Sequence, residues 1–177
     1  MARGLLEDRA ELEALFDELA YELDQVGTSA EIVMVGGAWM LWHSQRMSTR
    51  DVDSARKLDS ELKQAAGRIA ARHDLPKTWL NDSAVPFWPS TASYEDGELV
   101  YQHRALEVRS PGPEVIFVMK LYRADPQDRE DLVSLWSLCG YNNPDDAAYA
   151  FELAYPHAPR DEFLVDYIAD VARDAIL

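Results

Sequence analysis

The chain has 177 residues, 47% of them hydrophobic, enough to bury one core and short for two independent ones. Its formal net charge of −15 opposes non-specific binding to polyanions, and its apolar runs fall short of the roughly 20 residues that span a bilayer, so no membrane is expected. A single cysteine, Cys139, excludes an internal disulfide framework and a cysteine metal site; with no secretory leader pattern around Leu5 to Arg9, a cytoplasmic location is expected.

In chain order, Leu12, Leu15, Phe16, Leu19 and Leu23 recur at helical spacing, with Gly27 beyond the end. The run Glu31-Ile32-Val33-Met34-Val35 stops at Gly36-Gly37, predicting a buried strand entering a tight turn, and a helix over Ala38 to Gln45 follows. Arg50 to Ala55 alternates charged and small residues as a strand does. Leu58 to His73 carries Leu62, Ala65, Ala66, Ile69 and Ala70 on one helical face. Leu75 to Ser93, with Pro76, Pro86 and Pro89 among Trp79, Phe87 and Trp88, predicts an irregular segment packed on the body.

Two strands, Glu98 to His103 and Ala105 to Arg109, precede the helix-start sequence Ser110-Pro111-Gly112-Pro113 and a helix to Arg123. Further helices are predicted over Gln127 to Cys139, Pro144 to Ala154 and Arg160 to Ile176. The division this predicts is a core over residues 1–124 carrying an N-terminal helix, with a C-terminal helical extension over 125–177.

Charge is unevenly distributed. Residues 125–177 hold twelve acidic and three basic side chains, a local −9, which reads as solvated helix faces or as a surface for a basic partner. Between residues 43 and 77 the basic side chains exceed the acidic ones by three, so composition favours a phosphate-bearing ligand there.

Asp51 and Asp53 are two apart on a predicted strand, so both carboxylates leave one face and their oxygens can converge on a hard cation. Taken alone, a D-x-D is far more often a solvated polar face. Upstream, a Gly-Gly turn between an apolar strand and a helix offers backbone N–H groups to phosphate, and glycine allows a close approach. Lys120 lies inside the apolar helix Val115 to Leu121, where it must snorkel or meet an anion, and a contact to the triphosphate is its functional reading. Asp128 and Asp131 are spaced i, i+3, so either could orient Lys120 or act as a base; a solvated face is the plainer reading. Arg46 and Arg50 are expected to clamp phosphate oxygens, and Ser48 and Thr49 to offer hydroxyls, unless they serve as turn or cap residues. Glu107, on the last predicted strand, is a candidate third metal ligand; a surface pair with Arg104 or Arg109 is the alternative.

The ordered combination Met34-Val35-Gly36-Gly37-Ala38, then Arg46-Met47-Ser48-Thr49-Arg50-Asp51-Val52-Asp53, resembles the signature of polymerase-beta-like nucleotidyltransferases. It looks most like the AbiEii/MenT-type branch of toxin–antitoxin and phage-defence systems. Trp79-Leu80-Asn81-Asp82, Lys120 and Asp128-Arg129-Glu130-Asp131 extend the likeness over residues 30–135. Ala38 departs from it, where many such enzymes carry a serine.

The resemblance implies an α+β nucleotidyltransferase fold, a small mixed sheet flanked by helices with a C-terminal helical bundle. It further implies two divalent ions, Mg²⁺ or Mn²⁺, held by the carboxylate pair, a nucleoside triphosphate as substrate, and a cognate antitoxin or other protein as partner. Charge leans the acceptor toward a basic protein or small cation over tRNA. Two other readings use the same fold: a catalytically silent module whose acidic helices grip a basic partner, and a transferase acting on a cationic small molecule such as an aminoglycoside.

Overall fold

Helix α1 (Arg9–Gln25) begins where Asp8 Oδ1 accepts a hydrogen bond from Glu11 N at 2.8 Å, and it buries Leu12, Leu15, Phe16, Leu19 and Leu23, the five residues at helical spacing. The computed structural model describes residues 4–176. Strand β1 (Ala30–Val35) leads directly into α2 (Gly36–Trp42), β2 (Val52–Ser54) and α3 (Ser60–His73), then β3 (Leu80–Asn81), β4 (Glu98–His103) and β5 (Leu106–Ser110). The remaining helices are α4 (Pro113–Arg123), α5 (Arg129–Trp136), α6 (Pro144–Ala154) and α7 (Leu164–Asp174). Among the described residues, no helix is long and apolar enough to cross a membrane.

The strands form one mixed sheet in the order β3-β2-β1-β5-β4. β1 runs parallel to β5 and antiparallel to β2, while β3 lies parallel to β2. Helices α1 and α3 are tied across their outer faces by Arg68–Glu22 at 2.7 Å and by Arg72, which reaches Glu18 and Glu22 at 2.8 Å each. These pairs are partly solvated and contribute modestly. The apolar packing beneath them supplies the stability: Phe16, Leu19, Ile32, Met34, Ile69 and Trp79 are all sealed from solvent.

Contacts within the chain separate two compact units. One holds the described residues up to Pro86 together with Tyr94–Pro111, and so contains the whole sheet; the other holds Phe87–Ser93 with the chain from Gly112 onward. The expected boundary at 124 therefore moves to 111, because α4 packs with α5 and α6. Within this helical unit Phe117 packs against Trp136 and Tyr141, and Tyr122 stacks on Tyr155 with ring centroids 4.0 Å apart. The segment expected to be irregular divides between the units. Trp79 plugs the sheet unit with its indole N–H on Ala66 O at 2.9 Å, whereas Ser90 N donates to Ala154 O at 2.9 Å in the helical unit.

Several boundaries differ from expectation for local reasons. β2 is shorter than Arg50–Ala55 because Thr49 is engaged upstream, exchanging backbone hydrogen bonds with Leu6 at 2.7 and 2.9 Å. α5 spans Arg129–Trp136, within the expected 127–139, since Pro126 to Asp128 form a separate 3₁₀ turn. α7 starts at Leu164, four residues late, where Asp161 Oδ1 accepts from Phe163 N and turns the chain before the helix. Cys139 is half-buried, and that burial pushes its thiol pKa up to about 12.

Candidate active site

The junction between β1 and α2 is made by one residue. Gly36 has φ +65°, a left-handed conformation that L side chains rarely adopt, and it is already the first residue of α2. The expected tight turn is thus compressed into the helix start, and α2 ends at Trp42, three residues before Gln45.

Register places an acid against this junction. Val35 pairs with Asp53 across β1 and β2, and Asp53 pairs in turn with Asn81 of β3. A Cβ on Gly36 would stand 2.8 Å from Asp53 Oδ2, so the missing side chain is the space in which that carboxylate lies. At Gly37 a Cβ would meet Thr49 Oγ1 at 2.5 Å and Arg46 Nη1 at 3.0 Å. A side chain at either glycine would therefore have to displace a neighbouring group, and the groups that approach are the acid, hydroxyl and guanidinium singled out in the sequence. Gly36→Ala is expected to cost about 1–2 kcal/mol from backbone strain alone, with a further loss from displacing the Asp53 carboxylate. Chemical denaturation of the purified variant measures the sum, and an unchanged midpoint would refute the close approach.

Thr49 is buried and its hydroxyl donates to Asp51 O at 3.1 Å, fixing the bend that sends the chain from Asp51 into β2. Asp51 and Asp53 are both half-buried, Arg46 and Ser48 likewise, and Arg50 is exposed. Asn81, noted in the sequence only as part of the Trp79–Asp82 run, and Ser83, which sequence reasoning passed over, complete the surroundings of Asp53. Ser83 N and Oγ both donate to Asn81 Oδ1, at 3.0 and 2.5 Å, and the same hydroxyl lies 3.3 Å from Asp53 Oδ1. The Trp79-Leu80-Asn81-Asp82 run held the signal. Its tryptophan plugs the core, Asn81 stands beside Asp53, and Asp82 accepts from Leu58 N at 3.0 Å and pairs with Lys63 at 2.9 Å near the start of α3.

Glu107 is not brought to this place. It pairs in register with Glu31, four residues back along β1 from Val35, so about 13 Å of strand separates their levels. There it accepts from Gln102 Nε2 at 2.8 Å and lies 3.9 Å from Arg109, the alternative of a strand-surface pair. Among the described residues no group of three His, Cys, Asp or Glu side chains is placed to hold a metal. The histidine next to β5 has another role: His43 Nε2 lies 2.7 Å from Ser110 Oγ and its ring is 4.1 Å from that of Trp39, and burial holds its pKa below the usual value.

Lys120, Asp128 and Asp131 come together in the helical unit. Lys120 Nζ donates to Asp128 Oδ1 at 2.8 Å and to Asp131 Oδ2 at 2.7 Å, and Arg123 grips both oxygens of Asp128 at 2.8 and 2.7 Å. Lys120, Asp128 and Asp131 are all buried. The anion that a lysine in an apolar helix must meet is thus this carboxylate pair.

A family model described as a nucleotidyltransferase of unknown function (DUF6036) matches residues 10–137. The chain belongs to this family. The matched span runs from α1 to the end of α5, taking in the β1–α2 junction, Asp53 on β2 with Asp51 just before that strand rather than on it, and the Lys120 cluster, and the mixed five-stranded sheet with its flanking helices is a nucleotidyltransferase fold. No curated protein and no solved structure gives a significant match to this DUF6036 chain.

Proposed function

We propose that this DUF6036 protein transfers a nucleoside monophosphate from a nucleoside triphosphate to an acceptor, as part of a toxin–antitoxin or phage-defence system of the AbiEii/MenT kind. The observation that carries the reading is Asp53 Oδ2 lying in the space that Gly36 leaves open, beside a helix start. The residues fit a magnesium ion, since Mg²⁺ takes one or two carboxylates and completes its shell with water and substrate phosphates. Asp51 and Asp53 would hold it, and Mn²⁺ would substitute; when bound, the ion supplies charge neutralisation on the triphosphate.

In the transfer the acceptor's hydroxyl oxygen bonds to the α-phosphorus, the bond from that phosphorus to the α,β-bridging oxygen breaks, and pyrophosphate leaves while the hydroxyl proton passes to solvent. The chain's part is positioning. Gly36 and Gly37 let phosphate approach the main chain, Arg46 beside Gly37 offers a guanidinium fork to phosphate oxygens, and Arg50 and Ser48 stand on the same connection. Asn81 pairs with Asp53 in register and, by accepting from Ser83 N, keeps the turn after β3 beside that carboxylate. Asn81→Ala is expected to weaken magnesium-dependent triphosphate binding about three- to tenfold with the melting temperature unchanged; calorimetry and thermal melting read the two, and equal affinity would remove Asn81 from the site.

The acceptor favoured by charge is a basic protein or a small cation, because a tRNA would have to avoid the −9 of residues 125–177. Incubation with magnesium, each α-labelled nucleoside triphosphate, total tRNA and cell lysate tests the reading. Label on protein or on a small molecule supports it, label on tRNA overturns the acceptor preference, and magnesium-dependent nucleotide binding with no label anywhere identifies a silent binding module.

A further inference from the structure

The short segment before α1 is held at two places. Leu5 and Glu7 are exposed and Leu6 between them is fully buried, the alternation of an extended chain that turns one side chain into the core. Leu6 N donates to Thr49 O at 2.7 Å and Leu6 O accepts from Thr49 N at 2.9 Å, the two bonds of an antiparallel bridge. Reciprocal contacts then fix how the segment enters the helix: Glu7 N donates to Glu11 Oε2 at 2.9 Å, while Asp8 Oδ1 caps Glu11 N. Arg9, the first residue of α1, lays its guanidinium over Trp42, 4.2 Å from the ring centroid.

The partners of these contacts bracket the connection between α2 and β2. Trp42 ends α2 and Thr49 stands just before β2, so the segment grips that connection near both of its ends. Of residues 43–51 only Thr49 is buried, and a surface connection moves unless something holds its backbone. Thr49 passes the constraint on. Its hydroxyl donates to Asp51 O at 3.1 Å and lies 2.5 Å from the point a Cβ on Gly37 would take, where Arg46 Nη1 also stands at 3.0 Å. Leu6 therefore fixes the residue on which Gly37, Arg46 and Asp51 converge.

We propose that Leu6 is a positioning residue of the nucleotide site, and that the segment before α1 is the strap that sets its α2–β2 connection. The Leu6 side chain anchors in the core while its main chain clamps Thr49. With that clamp loosened, the Arg46 fork and the Asp51 carboxylate lose the geometry in which they meet phosphate and metal. Leu6 acts through Thr49 and contacts neither. The consequence for nucleotide rests on the reading of the site given above, whereas the tie itself is a property of the fold. A plain core role would give Leu6 the same weight as Leu23, which is equally buried and lies about 21 Å further along α1 than Arg9.

The test compares Leu6→Ala with Leu23→Ala in the full chain. Both remove the same atoms from fully buried positions, and both are expected to lower the melting temperature. Well below both transitions, exchange of the Thr49 amide hydrogen, which Leu6 O holds, is expected to quicken about tenfold or more in Leu6→Ala. In Leu23→Ala it is expected to stay within about twofold of wild type. Magnesium-dependent triphosphate affinity, read by calorimetry, is expected to fall about five- to tenfold in Leu6→Ala alone. Leu6→Met keeps the volume and is expected to bring both readouts back to within about twofold of wild type. Should Leu6→Ala fail to fold, Leu6→Val against Leu23→Val makes the same comparison with a smaller loss. Equal exchange at Thr49 in the paired variants, an equal loss of affinity in both, or wild-type affinity in Leu6→Ala overturns the proposal. If the wild type binds no triphosphate, the nucleotide reading fails by itself, and exchange still decides the strap: faster exchange in Leu6→Ala alone supports it, and equal exchange overturns it.

Discussion

Asp53→Asn is expected to lower magnesium-dependent label transfer by about a thousandfold or more while leaving the melting temperature within about 2 °C of wild type. The substitution keeps the size of the side chain and its place beside Ser83, and removes only the charge. Among the described residues Asp53 enters no ion pair, so its ionised form stabilises little in the folded chain, and it stands two residues from a second carboxylate. Neutralising one of two neighbouring acids relieves repulsion, so a small gain in stability is the direction to look for. Label transfer is read at saturating nucleotide and the melting temperature by calorimetry. Activity within tenfold of wild type would show that the carboxylate takes no part in the reaction.

Lys120→Met produces the opposite pattern, a large loss of stability. Its ammonium sits between two buried carboxylates at 2.8 and 2.7 Å, and with Lys120 gone both lose the charge that lies between them, while Arg123 stays on Asp128. Breaking a buried pair from one side costs about 3–5 kcal/mol, which for a chain of this size lowers the melting temperature by roughly 6–20 °C. Methionine fills the volume and keeps the helix, so packing is not the source of the loss. Adding Asp128→Asn and Asp131→Asn to Lys120→Met removes the uncompensated charge and is expected to restore part of the stability. A lysine serving the outer phosphates gives another signature, triphosphate affinity falling more than monophosphate affinity at an unchanged melting temperature. Thermal melts of the single and triple variants, with both nucleotides titrated into each, separate the two roles.

The sheet unit was legible where one face of a repeating pattern carries the burial. Leu12, Leu15, Phe16, Leu19 and Leu23 announce α1, and Leu62, Ala65, Ala66, Ile69 and Ala70 announce α3, because an amphipathic helix writes its period into the chain. The approach of Asp53 to Gly36 was legible for a different reason: strand, glycine and acid are close in sequence, and a single antiparallel pairing of β1 with β2 brings them together. β3 was not, since two residues between Pro76 and Pro86 carry no period, and only the parallel pairing with Val52 and Asp53 makes them a strand. The place of Asn81 and Ser83 beside Asp53 was hidden with it. Glu107 was misplaced because alternation on a strand gives the face a side chain shares but not its level along the sheet, which register alone decides. Likewise the apolar pattern of α4 is complete without saying which neighbours bury it, and these proved to be α5 and α6.

The most direct test of the account is a calorimetric titration of magnesium and each nucleoside triphosphate into the wild-type chain and into the Asp51→Asn, Asp53→Asn double variant. The account predicts saturable binding of at least one triphosphate to the wild type that disappears when magnesium is withheld, and no measurable binding to a double variant that melts as the wild type does. Equal magnesium-dependent affinity in both proteins would contradict it, because Asp51 and Asp53 would then not be the residues that hold the nucleotide's metal.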